Sequence, residues 1–294
     1  MLNSESRLEV ISNIKENTSH NELNKKVEPG DAVLTPEESD RLIKEYLARR
    51  KKLSFKTKSV IARKIADTVT EIVNRRTLIE GMENLEGVKG GAIVTCNHFS
   101  PVDSTVIRHL LKALGRKRIY VVIQDTNLCA PGWVGFLMNY ADVIPINRNC
   151  HYLQGELVDI LRELTSKGEY VLIYPEQEMW FNYRKPRPLM RGAYYFAAKL
   201  SVPVISCFVE MRERGVPENE DFDKVDFTLH VLPVIYPDPS KTPRTNSIIM
   251  SQQDYQQKKA AYELAYSKPL DYSFEPDDIA GWRGDGDRPQ PCMG

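Results

Sequence analysis

The sequence predicts an α/β fold, a largely parallel sheet covered by helices, with an N-terminal helical hairpin ahead of it. Three observations carry this. From residue 77 onward, short apolar runs of strand length alternate with stripes of helical period. Between residues 34 and 76 only the helical period is present. The chain has 294 residues, 41% hydrophobic and 27% charged, which suits one large α/β domain with extensions.

The elements follow in order. Residues 1–33 are polar and weakly patterned, and are expected to form a loosely ordered arm. Residues 34–76 are expected to form the hairpin. Thr35 suits a helix cap, Pro36 the first turn, and Glu38 stands where a capping box needs an acid. Leu42, Ile43, Tyr46 and Leu47 mark that helix's apolar face. A second helix over about 57–75 carries the stripe Ile61, Ile65, Val69, Ile72 and Val73. Within 77–240, strands are predicted at Thr77–Glu80, Ala92–Cys96, Arg118–Gln124, Val143–Ile146, Tyr170–Tyr174, Val204–Val209 and Thr228–Ile235. Helices are predicted at Ser104–Leu114, near Trp133–Asn139, at Tyr152–Lys167 stopped by Gly168, and at Arg191–Leu200. Such alternation argues parallel strands with both faces covered. Residues 241–294 are expected to hold a C-terminal helix and an extended tail, rich in Asp, Gly and Pro from about 270.

Composition narrows the function. Forty basic and forty acidic residues balance, which argues against whole-surface nucleic-acid binding. The five cysteines, Cys96, Cys129, Cys150, Cys207 and Cys292, are scattered and form no CxxC pair, so a disulfide framework or zinc knuckle is not expected and a reducing cytoplasm fits. No signal peptide and no spanning helix is expected, so any membrane contact is peripheral. A basic cluster does stand out: Arg49, Arg50, Lys51, Lys52, Lys56, Lys58, Arg63 and Lys64, with no acid between Glu45 and Asp67. It reads either as a solvated helical face or as a surface that lies on anionic lipid. The apolar segment Trp133–Met138 is a candidate for insertion beside it, or else a core helix.

The strongest chemical signal is Asn97-His98-Phe99-Ser100-Pro101-Val102-Asp103, between a strand and a helix. Ligands of α/β sheets gather at the carboxyl ends of strands. An imidazole there can take a proton near neutral pH. A turn through Ser100-Pro101 would bring the Asp103 carboxylate back to the ring, where it would fix the tautomer. No nucleophile elbow accompanies the pair, which suits direct activation of a substrate hydroxyl. Three further segments follow: Val143-Ile144-Pro145-Ile146-Asn147-Arg148, Val171-Leu172-Ile173-Tyr174-Pro175-Glu176, and Val202-Pro203-Val204-Ile205 preceded by Arg191-Gly192.

Together these four segments resemble, in order and at similar distances, the four motifs of the glycerolipid acyltransferases, over about residues 77 to 236. The resemblance implies His98 as general base on a glycerol hydroxyl, oriented by Asp103. It implies a substrate-binding set of Asn97, Ser100, Arg148, Glu176, Arg184 and Arg191. Arg148 would hold the acceptor's phosphate, and Glu176 would accept from a substrate hydroxyl or pair with Arg148. After Glu176 the chain departs from the pattern. It reads Gln177-Glu178-Met179-Trp180 where the family usually has Gly, Thr or Ser, and Arg. The following insert offers Arg184, Lys185 and Arg187 as replacements for that missing cation.

The expected activity is transfer of a fatty acyl group from acyl-coenzyme A or acyl-carrier protein to a lysophosphatidate-like lysophospholipid acceptor, with no cofactor and no metal. Backbone amides of the Ser100–Asp103 turn or the helix start are candidate oxyanion donors. The expected location is cytoplasmic, peripheral on the inner face of the membrane, against an anionic membrane surface. The alternatives are a different acceptor such as glycerol 3-phosphate, a non-catalytic lysolipid-binding scaffold of the same fold, and a hydrolase using His98.

Overall fold

The computed structural model describes residues 4–30 and 32–284. Its helices are α1 (Ser4–Ser19), α2 (Pro36–Arg50), α3 (Leu53–Val73), α4 (Ser104–Ala113), α5 (Gly132–Tyr140), α6 (Cys150–Gln154), α7 (Glu156–Ser166), α8 (Gly192–Leu200) and α9 (Pro243–Tyr266). Its strands are β1 (Leu78–Glu80), β2 (Ala92–Thr95), β3 (Tyr120–Gln124), β4 (Val143–Ile146), β5 (Tyr170–Leu172), β6 (Val204–Pro217) and β7 (Asp223–Val231). They form a seven-stranded sheet in the order β1-β7-β6-β2-β5-β3-β4. Every pairing is parallel except β6 with β7. The predicted α/β class is therefore the observed one.

The central strands are apolar throughout because helices cover both faces. One core packs Val94, Cys96, Leu172, Ile205 and Val209 under α4. The other packs Ile93, Val171 and Val204 under α7 and α8. The Thr35–Glu38 capping box forms as read, with both reciprocal hydrogen bonds present. Gly168 takes φ +81°, the left-handed turn that ends α7. A buried polar cluster fastens α9 to the sheet. Asp254 accepts from Thr95 Oγ1 (2.7 Å), from Lys258 Nζ (2.5 Å), and from the hydroxyls of Ser206 and Tyr194.

Several expectations are corrected. Residues 4–19 are the helix α1, not a loose arm, and Val10, Ile11 and Ile14 are buried. The tail is packed as far as Gly284, with Ile279, Ala280 and Trp282 buried; residues 285–294 and Cys292 lie outside the described residues. Both ends join a third apolar cluster with Trp180, Phe181, Tyr183 and Phe222. Each contributes few apolar side chains, so neither shows a stripe by itself. Their partners lie more than fifty residues away in the sequence.

The predicted helix over 152–167 is two helices, broken at Gly155. The last two strands form a hairpin reaching Pro217, longer than predicted, because the polar Arg212 and Glu213 pair with Asp226 and Val225 of β7 and, past a bulge, Pro217 pairs with Asp223. Three residues of the α3 stripe, Ile61, Ile65 and Ile72, face outward, while Val69 and Val73 are half-buried and Val73 packs on the core. This helix buries Phe55, Ser59, Ala62 and Thr70 and exposes Leu53, Val60, Ile61, Ile65 and Ile72.

Candidate active site

β2 ends at Thr95, and the chain then enters the His98 loop at the carboxyl end of the central strands. Asn97 is buried and clamps β2 to β6. Its side-chain oxygen accepts from Val209 N–H (2.8 Å) and its amide donates to Val209 O (3.1 Å). Its position excludes the substrate contact expected of it. His98 is the next residue, and 21% of its side chain is exposed.

Asp103 stands just before α4 but does not cap it. The Ser100-Pro101 turn swings its carboxylate back into the loop. Oδ2 accepts from His98 Nδ1 (2.7 Å), Phe99 N–H (3.0 Å) and Ser100 N–H (3.3 Å). An ionised carboxylate only accepts, so Nδ1 carries the proton and the Nε2 lone pair faces outward. Nε2 has no partner among the described residues. This is the juxtaposition the sequence predicts.

Ser100 is buried, and its Oγ accepts from Val102 N–H (3.4 Å), a turn contact. The turn is mostly not an oxyanion hole. The Phe99 and Ser100 amides serve Asp103, and the Asp103 amide donates to Ser100 O (3.1 Å). The Ser104 N–H, at the start of α4, is without a partner among the described residues.

Tyr174 was not singled out in the sequence. Its ring lies flat on the His98 imidazole, with centroids 4.0 Å apart and planes 13° apart. Its hydroxyl donates to Asp103 Oδ1 (2.5 Å). Burial first, and then the facing Asp103 carboxylate, push the phenol well above its ordinary pKa, so it stays a donor.

Glu176 is buried and turned inward. Oε2 accepts from His98 N–H (3.2 Å) and from the Arg187 guanidinium (2.9 Å), and Oε1 accepts from Arg187 N–H (3.1 Å). Its expected roles as acceptor for a substrate hydroxyl or partner for Arg148 are both overturned. The insert after it is equally committed. Arg187 is fully buried over Trp180, 4.6 Å from the ring centroid, and donates to Leu23 O (3.2 Å). Lys185 pairs with Asp278 (2.8 Å) and Arg184 with Glu213 (2.7 Å). Arg187 and Lys185 are held inside by the buried anions Glu176 and Asp278, and Arg184 is paired with the exposed Glu213.

The insert instead braces the His98 loop. Trp180 N–H donates to His98 O (3.0 Å) and Asn182 N–H to Phe99 O (2.8 Å). Trp180 Nε1 in turn donates to Lys25 O (3.0 Å), and the Asn24 amide to Pro188 O (2.8 Å). The N-terminal segment thus buttresses the loop from behind. Gln177, at the family's Gly position, adopts φ +66°.

Two predicted cations remain exposed and without a partner among the described residues, Arg148 and Arg191. Arg148 follows β4, three strands from β2, or about 14 Å at ordinary strand spacing. Arg191 precedes α8. The neighbouring Met190 N–H donates to Pro175 O (2.8 Å), on the chain leaving β5, which is the strand next to β2. Arg191 is therefore the nearer of the two in the order of the sheet.

A carboxylate-backed imidazole with an open nitrogen, at the carboxyl end of a parallel sheet, is able to take a proton from a hydroxyl or water nucleophile. Residues 76–210, which include the His98 loop and the Glu176 segment, match the family model Acyltransferase. Among solved structures the chain is similar to the 1-acyl-sn-glycerophosphate (LPA) acyltransferase PlsC from Thermotoga maritima. That match has 14% sequence identity and a TM-score of 0.48, and covers 79% of this chain and 90% of that one. No curated protein matches the sequence.

Proposed function

We propose that the protein transfers a fatty acyl group from an acyl thioester to the free hydroxyl of a lysophosphatidate-like acceptor, with His98 Nε2 as the base. The observation that carries this is the 2.7 Å His98–Asp103 contact with Nε2 left open, within the segment that matches the Acyltransferase family model. Nε2 takes the hydroxyl proton, and the alkoxide oxygen attacks the thioester carbonyl. The tetrahedral oxyanion collapses, the C–S bond breaks, and the imidazolium returns its proton to the departing thiolate. The Ser104 N–H is the available backbone donor for the oxyanion. Arg191 takes the acceptor's phosphate, with Arg148 as an outer contact. The donor is acyl-coenzyme A or acyl-carrier protein.

The reaction is proposed to run on an anionic membrane surface, on its inner, cytoplasmic face. No helix among the described residues is long and apolar enough to cross a membrane. What supports docking is the outward stripe of α3, with Ile61 50% and Ile72 65% exposed and Lys56, Lys58 and Lys64 exposed among the apolar residues. α5 packs beside it, with only Gly135 buried and Trp133 60% exposed. An exposed apolar face flanked by lysines is the composition of an interfacial helix. The helix α5 also follows the carboxyl end of β3, the same end of the sheet as His98.

The test is purified protein on anionic vesicles with lysophosphatidate, glycerol 3-phosphate or lysophosphatidylcholine, each with both thioester donors. Diacyl phosphomonoester as the main product supports the reading. Lysolipid binding without transfer in any arm makes the protein a scaffold, and fatty acid released without acceptor makes it a hydrolase.

A further inference from the structure

We infer that Tyr174 is a positioning residue for His98, the third member of a His98–Asp103–Tyr174 relay. This deepens the proposed function and rests on His98 being the base. Two separate contacts carry it. The flat stack at 4.0 Å fixes the plane of the imidazole. The hydroxyl bond at 2.5 Å occupies Asp103 Oδ1, the oxygen that His98 and the loop amides leave free. With both oxygens held, the carboxylate cannot rotate about its Cβ–Cγ bond. Phe99 and Ser100 alone bind the same oxygen as His98, so without Tyr174 the second oxygen is unrestrained.

The hydroxyl also sets how strongly Asp103 holds a proton on the ring. A hydrogen bond donated into a carboxylate draws charge from it and weakens its stabilisation of an imidazolium. The other groups facing His98 are few. Glu176, on the chain after β5, accepts from the His98 backbone and is neutralised by Arg187. Cys96, at the end of β2, is a buried thiol whose pKa burial raises, so it is uncharged. Tyr174 is thus the group that tunes this dyad without carrying charge itself.

The experiment uses the full chain and the variant Tyr174→Phe, which keeps the ring and removes only the hydroxyl. His98 is titrated by NMR of its Cε1–H, assigned by the signal lost in His98→Ala among the five histidines. The relay requires the His98 midpoint in Tyr174→Phe to move to higher pH than in wild type. The acidic limb of the rate profile moves in the same direction, and turnover at neutral pH falls about three- to tenfold, while KM for either substrate holds. A purely structural tyrosine would change the melting temperature and leave the titration where it is. Should Tyr174→Phe fail to fold, 3-fluorotyrosine placed at position 174 gives the opposite sign. Its more acidic phenol donates more strongly and moves the His98 midpoint to lower pH. Identical titrations in wild type and variant overturn the relay. Because the NMR measurement needs no substrate, it stands even if no acyl transfer is found, and that result would fall on the proposed function alone.

Discussion

Arg187 offers the sharpest test of how the altered third motif works. A family-style reading makes a cation in this region a ligand for the acceptor's phosphate. The structure makes Arg187 a buried strut, paired with Glu176 at 2.9 Å and capped by Trp180. Arg187→Met keeps most of the volume and removes the charge. It leaves the Glu176 carboxylate, 2% exposed, without its partner. Breaking a buried pair from one side costs about 3–5 kcal/mol, and the desolvated cation–π contact adds about 1–2 kcal/mol. Near 2–4 °C per kcal/mol, the melting temperature should fall by roughly 8–28 °C. Adding Glu176→Gln removes the stranded charge while its amide oxygen still accepts from His98 N–H. The double variant should recover at least half of the loss. Thermal melts of the four proteins give the coupling. Kinetics at low temperature, where Arg187→Met stays folded, should show KM for the acceptor close to wild type. An unchanged melting temperature with KM raised tenfold or more would refute the strut and restore Arg187 as a phosphate ligand.

Other outcomes follow from the same geometry. Gln177→Gly relieves a left-handed residue costing about 1–2 kcal/mol. Against the added chain entropy of glycine the net is about 0.5–1 kcal/mol of stabilisation, seen as a higher denaturant midpoint; a lower midpoint contradicts the strain. Arg191→Ala should raise KM for the acceptor roughly 10–100-fold, the loss of one hydrogen bond to a charged group, and Arg148→Ala should raise it less. The reverse order would relocate the phosphate. The triple change Ile61→Ser, Ile65→Ser and Ile72→Ser should leave stability nearly intact, since all three are exposed, while lowering partition onto anionic vesicles at least tenfold. Sedimentation equal to wild type would remove α3 as the docking face.

Much of this molecule could be read before its coordinates. The parallel strands were visible because burial on both faces makes them short continuous apolar runs. The start of α2 was visible because a capping box is local chemistry. His98 and Asp103 were visible because five residues and one turn suffice to join them. What escaped depended on contacts distant in sequence. Nothing near Arg187 shows that its anion is eleven residues back, or that Leu23 supplies its acceptor. α1 reads as polar because only four of its apolar side chains, Leu8, Val10, Ile11 and Ile14, meet the third cluster, against Trp180 and Trp282 from elsewhere in the chain. The apolar stripe of α3 is legible but its direction is not, since periodicity reports that a face is apolar and not what covers it. Tyr174 was seen only as the end of a strand. Its part became visible when the fold laid β5 beside β2.

The most direct test of the central claim is turnover of His98→Ala against wild type, on vesicles, with the best donor and acceptor pair. The hydroxyl-activation mechanism predicts a loss of about 10²–10⁴-fold in kcat with the melting temperature and lipid partition unchanged. Turnover within a few-fold of wild type would show that the imidazole is not the base, and the mechanism would fall with it.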